Sequence, residues 1–176
     1  YFHRMGHNVI CLAGNTTTSP SFTLKDVRIK EKPDDMLSLA LNIAKNEKPD
    51  VWIHSAAVLD YVPISIEGKK SSGEQTWNIQ LVESKKHLKE LIPYTKDSIR
   101  IGFKLETDDS EIKLIEKSRN ILNKYSLTAV VANLINETNQ NEGKRCRLIF
   151  PDGRIEDIET NLMMAVAIER IISTFS

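Results

Sequence analysis

Four short apolar runs, at positions 9–12, 51–57, 99–103 and 127–132, constrain the fold of this chain more than any other feature. Between them lie longer stretches in which apolar residues recur at every third or fourth position, as on one face of a helix. Strands that are apolar on both faces and joined by helices are typical of parallel sheets with helices on both sides. The sequence therefore predicts an α/β fold with a Rossmann-like, mostly parallel sheet and helices on both faces.

Two later segments predict an antiparallel extension of that sheet. Trp77, Ile79 and Leu81 alternate with polar residues, as in a half-exposed strand. Residues 147–150 and 154–158 flank a Pro-Asp-Gly turn at 151–153, which favours a hairpin. The chain has 176 residues and no internal repeat, so we expect residues 1–176 to form a single domain.

Composition excludes several classes of protein. The 24 basic and 24 acidic residues give a formal net charge of zero, so we do not expect the chain as a whole to bind nucleic acid electrostatically. No apolar run approaches the roughly 18 residues of a membrane span, and we expect no membrane association. Two cysteines, Cys11 and Cys146, are too few for a disulfide framework, and buried free thiols favour a cytoplasmic location.

The first residues indicate that an N-terminal segment is missing. The sequence begins with Tyr1 rather than Met, and residues 1–4 have the character of the last turn of a helix that Gly6 ends. Because a domain rarely begins at the last turn of a helix, we expect further residues upstream.

Polar and small residues follow the predicted strands, where parallel sheets bind their ligands. Ala56, Ala57 and Asp60 follow the second strand, Phe103 the third and Asn133 the fourth. Small side chains would let a ligand approach backbone amides, Phe103 could cover a base or ribose, and Asn133 offers both a donor and an acceptor. Together they predict a small-molecule site. Taken singly, the alanine pair also suits packing of a helix on the sheet, Asp60 a cap or a solvated charge, and Asn133 a turn.

The loop at 68–73 is a second candidate site. Lys69 and Lys70 place two ammonium groups among glycine and serine, which suits phosphate binding, and a solvated surface loop is the alternative. Pro63 stands where a phosphate-binding P-loop needs its first glycine, and the chain has no GxGxxG dinucleotide fingerprint.

The remaining titratable residues predict no further site. We expect no metal cage, because the histidines lack ligand spacing, and His54 is interpreted as a core imidazole within a buried strand. The cations Lys85, Lys86 and Lys89 are interpreted as one solvated helix face.

Four segments in order resemble the phosphopantothenate–cysteine ligase (phosphopantothenoylcysteine synthetase) family, in its monofunctional form. They are AAVLDY at 56–61, KKSSG at 69–73, IGFKLET at 101–107 and VVAN at 130–133. The resemblance implies a ligase that joins 4′-phosphopantothenate and L-cysteine through an acyl-nucleotidylate in coenzyme A biosynthesis. It implies one nucleotide-binding domain that uses CTP or ATP with Mg²⁺, and a homodimer whose arms are the Trp77 strand and the hairpin at 147–158. FMN is not expected, because no decarboxylase domain is fused.

The resemblance also implies a role for each candidate residue. Ala56, Ala57 and Asp60 would contact phosphopantothenate, Phe103, Asn133 and Lys124 the nucleotide, and Lys69 or Lys70 the triphosphate as the catalytic cation. Lys124 lies one turn beyond Asn120, where relatives often carry a lysine, which leaves that contact open.

Residues 1–176 lack the family's glycine-rich strand–turn and the asparagine segment that follows it, so this stretch alone is not expected to catalyse the reaction. Two other hypotheses remain open. One is a different Rossmann-like enzyme such as an oxidoreductase, and the other is a nucleotide-binding domain without turnover.

Overall fold

The computed structural model describes residues 1–16, 23–64, 68, 73, 76–107, 110–138 and 145–175. The strands are β1 (Ile10–Ala13), β2 (Asp26–Ile29), β3 (Val51–His54), β4 (Tyr61–Pro63), β5 (Leu81–Glu83), β6 (Ile99–Glu106), β7 (Ala129–Leu134), β8 (Cys146–Ile149) and β9 (Ile155–Ile158). The helices are α1 (Pro33–Asn46), α2 (His87–Leu91), α3 (Glu111–Lys124), α4 (Ile135–Thr138) and α5 (Asn161–Thr174), with 3-10 turns at Phe2–Met5 and Ile92–Tyr94.

The central sheet has the strand order β3-β6-β7-β8-β9. Its first three strands are parallel, and β8 and β9 continue it in antiparallel fashion. A separate parallel pair is formed by β1 and β2, and a separate antiparallel pair by β4 and β5. The predicted fold class, a mostly parallel sheet with helices and an antiparallel extension, is confirmed.

Helices cover the two faces of the central sheet, where β6 and β7 present mostly apolar side chains and one buried charge, Arg100. On one face, Ile101 and Val131 pack against Ile168 of α5. On the other, Val130 packs against Leu114 of α3. Among the described residues, no helix is long and apolar enough to cross a lipid bilayer.

Three local predictions differ from the structure. The hairpin at 147–158 is not a free arm, because its strands β8 and β9 are integral to the central sheet. The strand expected at Trp77 begins only at Leu81, where the three-residue β4 offers a pairing partner. The fourth strand runs through Asn133 to Leu134, so Asn133 lies inside β7 rather than after it.

Candidate functional site

A cavity of about 890 Å³ lies between β1 and β3. Every residue of both strands lines it, and α1 and α2 contribute Met36, Ala40 and Leu91. Phe2 and Ile172 lie at its other side. The cavity therefore occupies the place in the fold where the β1–β2 pair faces the edge of the central sheet.

Four of the predicted site residues meet at this cavity. Ala56, Ala57, Asp60 and Phe103 all line it, the first three directly after β3 and the fourth within β6. Ala56 and Ala57 are exposed, so their small side chains leave the neighbouring backbone accessible, as the sequence predicts. The carboxyl end of β3 and the middle of the neighbouring β6 thus bring small, acidic and aromatic groups to one place.

An ion pair that no sequence pattern indicates lies at this end of the cavity. The Lys86 ammonium lies 2.5 Å from a carboxylate oxygen of Asp60, and that hydrogen bond raises the pKa of Lys86. The Ser84 hydroxyl donates to the Leu59 carbonyl, and the Ser84 amide donates to the Asp60 carbonyl at 2.8 Å. Lys86 therefore belongs to the candidate site, not only to a solvated helix face.

His54 also lines the cavity, at the last position of β3. Burial, with smaller contributions from the charges of Arg100 and His87, lowers its pKa from 6.5 to about 4. Its ring stacks on Trp52 with centroids 5.9 Å apart, and its Nε2 has no hydrogen-bond partner among the described residues. The interpretation of His54 as a satisfied core imidazole is therefore only half correct: the ring is neutral at pH 7, but its Nε2 is buried without a hydrogen-bond partner among the described residues.

Asn133 and Lys124 do not line the cavity. Asn133 pairs with Leu105 in the sheet register and therefore shares a face with Phe103, about 8 Å away between Cα atoms. Lys124 ends α3, which packs on the opposite face, and its ammonium lies 5.4 Å from the centre of the Tyr125 ring. The structure thus brings Asn133 near Phe103 but does not bring Lys124 to them.

The two catalytic lysines predicted from the sequence, Lys69 and Lys70, lie outside the described residues. Within the described part of the chain, no group of three or more His, Cys, Asp or Glu side chains could hold a metal ion. Among the described residues, the lysines that line the cavity are Lys85 and Lys86. Lys104, within β6, pairs with Glu106 at 2.6 Å.

Comparisons with known proteins give the family. A family model described as the DNA/pantothenate metabolism flavoprotein C-terminal domain matches residues 1–174. The coenzyme A biosynthesis bifunctional protein CoaBC of Methanocaldococcus jannaschii is 37% identical over 114 residues, which are 65% of this chain and 27% of that protein. The chain therefore spans only a minor part of that relative's length.

Two solved structures share the fold. The DNA/pantothenate metabolism flavoprotein from Streptococcus pneumoniae aligns with a TM-score of 0.85 at 20% identity, over 99% of this chain and 84% of that one. A mutant of Cab2 in complex with phosphopantothenate-cysteine aligns with a TM-score of 0.62 at 21% identity, over 85% of this chain and 52% of that one. The family resemblance indicated by the four motifs is confirmed, because the family model spans nearly the whole chain. The chain belongs to the family of DNA/pantothenate metabolism flavoprotein C-terminal domains.

Proposed function

We propose that this chain is the nucleotide-binding domain of a ligase that joins 4′-phosphopantothenate to L-cysteine in coenzyme A biosynthesis. The observation that carries the proposal is the meeting of Ala56, Ala57, Asp60 and Phe103 at one cavity, since these residues come from two separate family motifs. Two relatives support it: one is named for coenzyme A biosynthesis, and the other was solved with phosphopantothenate-cysteine.

The reaction has two steps. A carboxylate oxygen of 4′-phosphopantothenate bonds to the α-phosphorus of CTP or ATP, and the bond to pyrophosphate breaks. The amine of cysteine then attacks the acyl carbon, nucleoside monophosphate leaves, and the amine loses a proton to solvent. The first step brings together two anions, the carboxylate and the triphosphate, and the second brings together two molecules that diffuse apart in water. Holding the reacting groups in place therefore accounts for much of the acceleration of the reaction.

The chain's own residues position the substrates. Exposed Ala56 and Ala57 leave backbone amides open to the acid, and Asp60, anchored by Lys86, borders the same space. Phe103 and Asn133 lie on one face of the sheet and hold the nucleotide between them. Lys69 or Lys70 neutralises the triphosphate, and Mg²⁺ enters with it, because this ion is usually held by phosphates and one or two carboxylates.

The decisive assay measures pyrophosphate release by the encoded polypeptide with all residues upstream of Tyr1 included. We expect release with CTP or ATP to require 4′-phosphopantothenate, and product formation to require cysteine as well. Nucleotide binding without pyrophosphate release would favour a domain without turnover. Reduction of a nicotinamide cofactor without pyrophosphate release would favour an oxidoreductase.

Replacing Asn133 with alanine is expected to weaken nucleotide binding about tenfold, or about 1.4 kcal/mol, because one amide donor and one acceptor are lost. Isothermal titration with CTP and with ATP measures the effect and identifies the preferred nucleotide. Asn123→Ala, on an exposed position of α3, is the matched control and should bind as the wild type does. Wild-type affinity in a folded Asn133→Ala protein would contradict the assigned role.

The ligase is a homodimer that associates through the surface of the β4–β5 hairpin. Four large apolar side chains on or next to this hairpin are exposed: Tyr61 is 59% exposed, Trp77 55%, Ile79 52% and Leu81 58%. Exposed apolar groups that form one patch are typical of a surface that associates with another protein.

We therefore expect Leu81→Glu to shift the protein from dimer to monomer, because the new carboxylate would be buried without a partner. Light scattering after size exclusion gives the mass directly. Ile112→Glu, at an isolated position of α3 that is 78% exposed, should remain dimeric. A monomeric wild type, or a dimeric Leu81→Glu protein, contradicts this interface.

A further inference from the structure

Arg147 of β8 connects the two segments that follow the proposed nucleotide contacts. Its guanidinium donates to both carboxylate oxygens of Glu137 at 2.7 Å and to Glu111 at 3.0 Å. Glu137 follows Asn133 by four residues, and Glu111 begins α3, the helix after the strand that carries Phe103. One buried side chain therefore joins the chain that leaves β7 to the chain that leaves β6.

Arg147 lies on the opposite face of the sheet from Asn133. In the register of β7 and β8, Arg147 is the partner of Ala132. Paired residues share a face and successive residues alternate, so Asn133 is on the other face. The Arg147 side chain is also only 1% exposed. An effect of Arg147 on a ligand held by Asn133 must therefore pass through the backbone.

Glu137 provides that route. Its carboxylate accepts from the backbone N–H of Leu134 as well as from Arg147. Glu137 is the third residue of α4, and a glutamate in this position that reaches back to the residue before the helix forms half of a capping box. The Leu134 N–H lies in the same rigid peptide plane as the Asn133 carbonyl. The hydrogen bond therefore fixes the backbone on the carboxyl side of Asn133, while register pairing with Leu105 fixes it in the sheet.

We propose that Arg147 and Glu137 are positioning residues for nucleotide binding, which hold the end of β7 so that Asn133 presents its side-chain amide in the orientation that the nucleotide requires. The inference rests on the proposed function, since it takes Asn133 as a nucleotide contact. Groups that are ordered before a ligand arrives lose less freedom when it binds. The order that the buried pair imposes on the free protein is therefore measurable as nucleotide affinity.

Glu137→Gln, made in the encoded polypeptide with all residues upstream of Tyr1 included, tests the inference. The substitution keeps the size of the side chain and removes its charge. We expect the dissociation constant of CTP or ATP, measured by isothermal titration, to rise about fivefold. That of 4′-phosphopantothenate should not change, because its proposed contacts follow β3. Glu47→Gln is the matched control: Glu47 also accepts from both terminal nitrogens of an arginine, Arg28, and its loss should change neither constant.

A double-mutant cycle separates positioning from a general loosening of the fold. In an Asn133→Ala background, Glu137→Gln should change nucleotide affinity by less than about twofold, because the side chain that it orients is gone. An equal loss of affinity in both backgrounds, or no loss in either, overturns the inference. Wild-type affinity of Asn133→Ala alone would contradict the nucleotide role of Asn133 and overturn the inference with it. Because binding is measured without turnover, absence of pyrophosphate release in a protein that shows the expected cycle counts against the ligase reaction alone.

Arg147→Lys gives a second readout that a purely structural role would not change. Lysine keeps the positive charge, but its ammonium lacks the planar fork that donates to Glu137 and Glu111 together. At a temperature where urea unfolding shows the variant to be folded, nucleotide affinity should fall by about fivefold with 4′-phosphopantothenate affinity unchanged. Wild-type nucleotide affinity in the folded variant would show that Arg147 stabilises the fold without positioning Asn133, and would overturn the inference.

Discussion

Replacing Arg147 with methionine is expected to lower the free energy of unfolding by about 3 kcal/mol. The Arg147 side chain is 1% exposed and donates to both carboxylate oxygens of Glu137 at 2.7 Å and to Glu111 at 3.0 Å. These hydrogen bonds hold the pKa of Glu137 below its usual value. The substitution leaves the Glu137 carboxylate without this cation. The effect lies at the lower end for a broken buried pair because the second partner of Arg147, Glu111, is half exposed.

Urea unfolding of matched variants measures this effect. Arg170→Met removes a guanidinium that is 61% exposed and paired with Glu156, and it should cost less than about 1 kcal/mol. Arg147→Met combined with Glu137→Gln should recover part of the loss, because one uncompensated carboxylate is removed with it. An Arg147→Met protein as stable as the Arg170→Met control would show that the buried network contributes little.

Arg147 also illustrates what the sequence could not predict. The hairpin around residues 151–153 is predictable from its turn residues, but its place in the sheet is not, because strand order depends on packing between distant segments. Arg147 pairs with Ala132 of β7 and meets two glutamates, Glu111 and Glu137, on helices before and after that strand. A charged residue in a predicted edge hairpin gives no local signal of such burial.

The ends of the predicted strands are less accurate than their positions. The third apolar run predicts a strand that ends at Phe103, and β6 continues through Lys104 to Glu106. In this polar part of β6, Glu106 pairs with Lys104 at 2.6 Å and with Lys117 of α3 at 2.9 Å. The second apolar run predicts a strand over 51–57, and β3 ends at His54.

The residues of the candidate site that follow β3 or lie beside its end could be predicted from the sequence. The contacts between side chains that are distant in the sequence could not. Ala56, Ala57 and Asp60 meet Phe103 because β3 ends beside it: His54, the last residue of β3, pairs with Gly102 of β6. The contact of Asp60 with Lys86 joins residues from different elements, and no spacing rule indicates it.

Local sequence patterns also do not indicate on which face of the sheet a side chain lies. Lys124 matches a helical spacing, yet its helix packs on the face of Val130 rather than that of Phe103. The cavity between β1 and β3 could not be predicted, because the apolar runs of these strands do not indicate which strands are neighbours in the sheet.

Acidification is expected to destabilise the protein through His54, by about 3 kcal/mol between pH 7 and pH 4. The folded-state pKa of about 4 lies below the ordinary 6.5, because burial disfavours the imidazolium. Between pH 6.5 and pH 4, His54 is therefore mostly protonated in the unfolded chain and mostly neutral in the folded chain. The stabilising contribution is complete above pH 6.5 and declines as the pH falls towards 4.

His54→Gln removes this titration, so its unfolding free energy should depend less steeply on pH than that of the wild type. Urea midpoints at pH 7, 5.5 and 4 give the comparison. Carboxylates such as Glu137 titrate in both proteins, so the difference between the two curves isolates the imidazole. If the unfolding free energies of the wild type and of His54→Gln depended equally on pH, this would contradict the burial of His54.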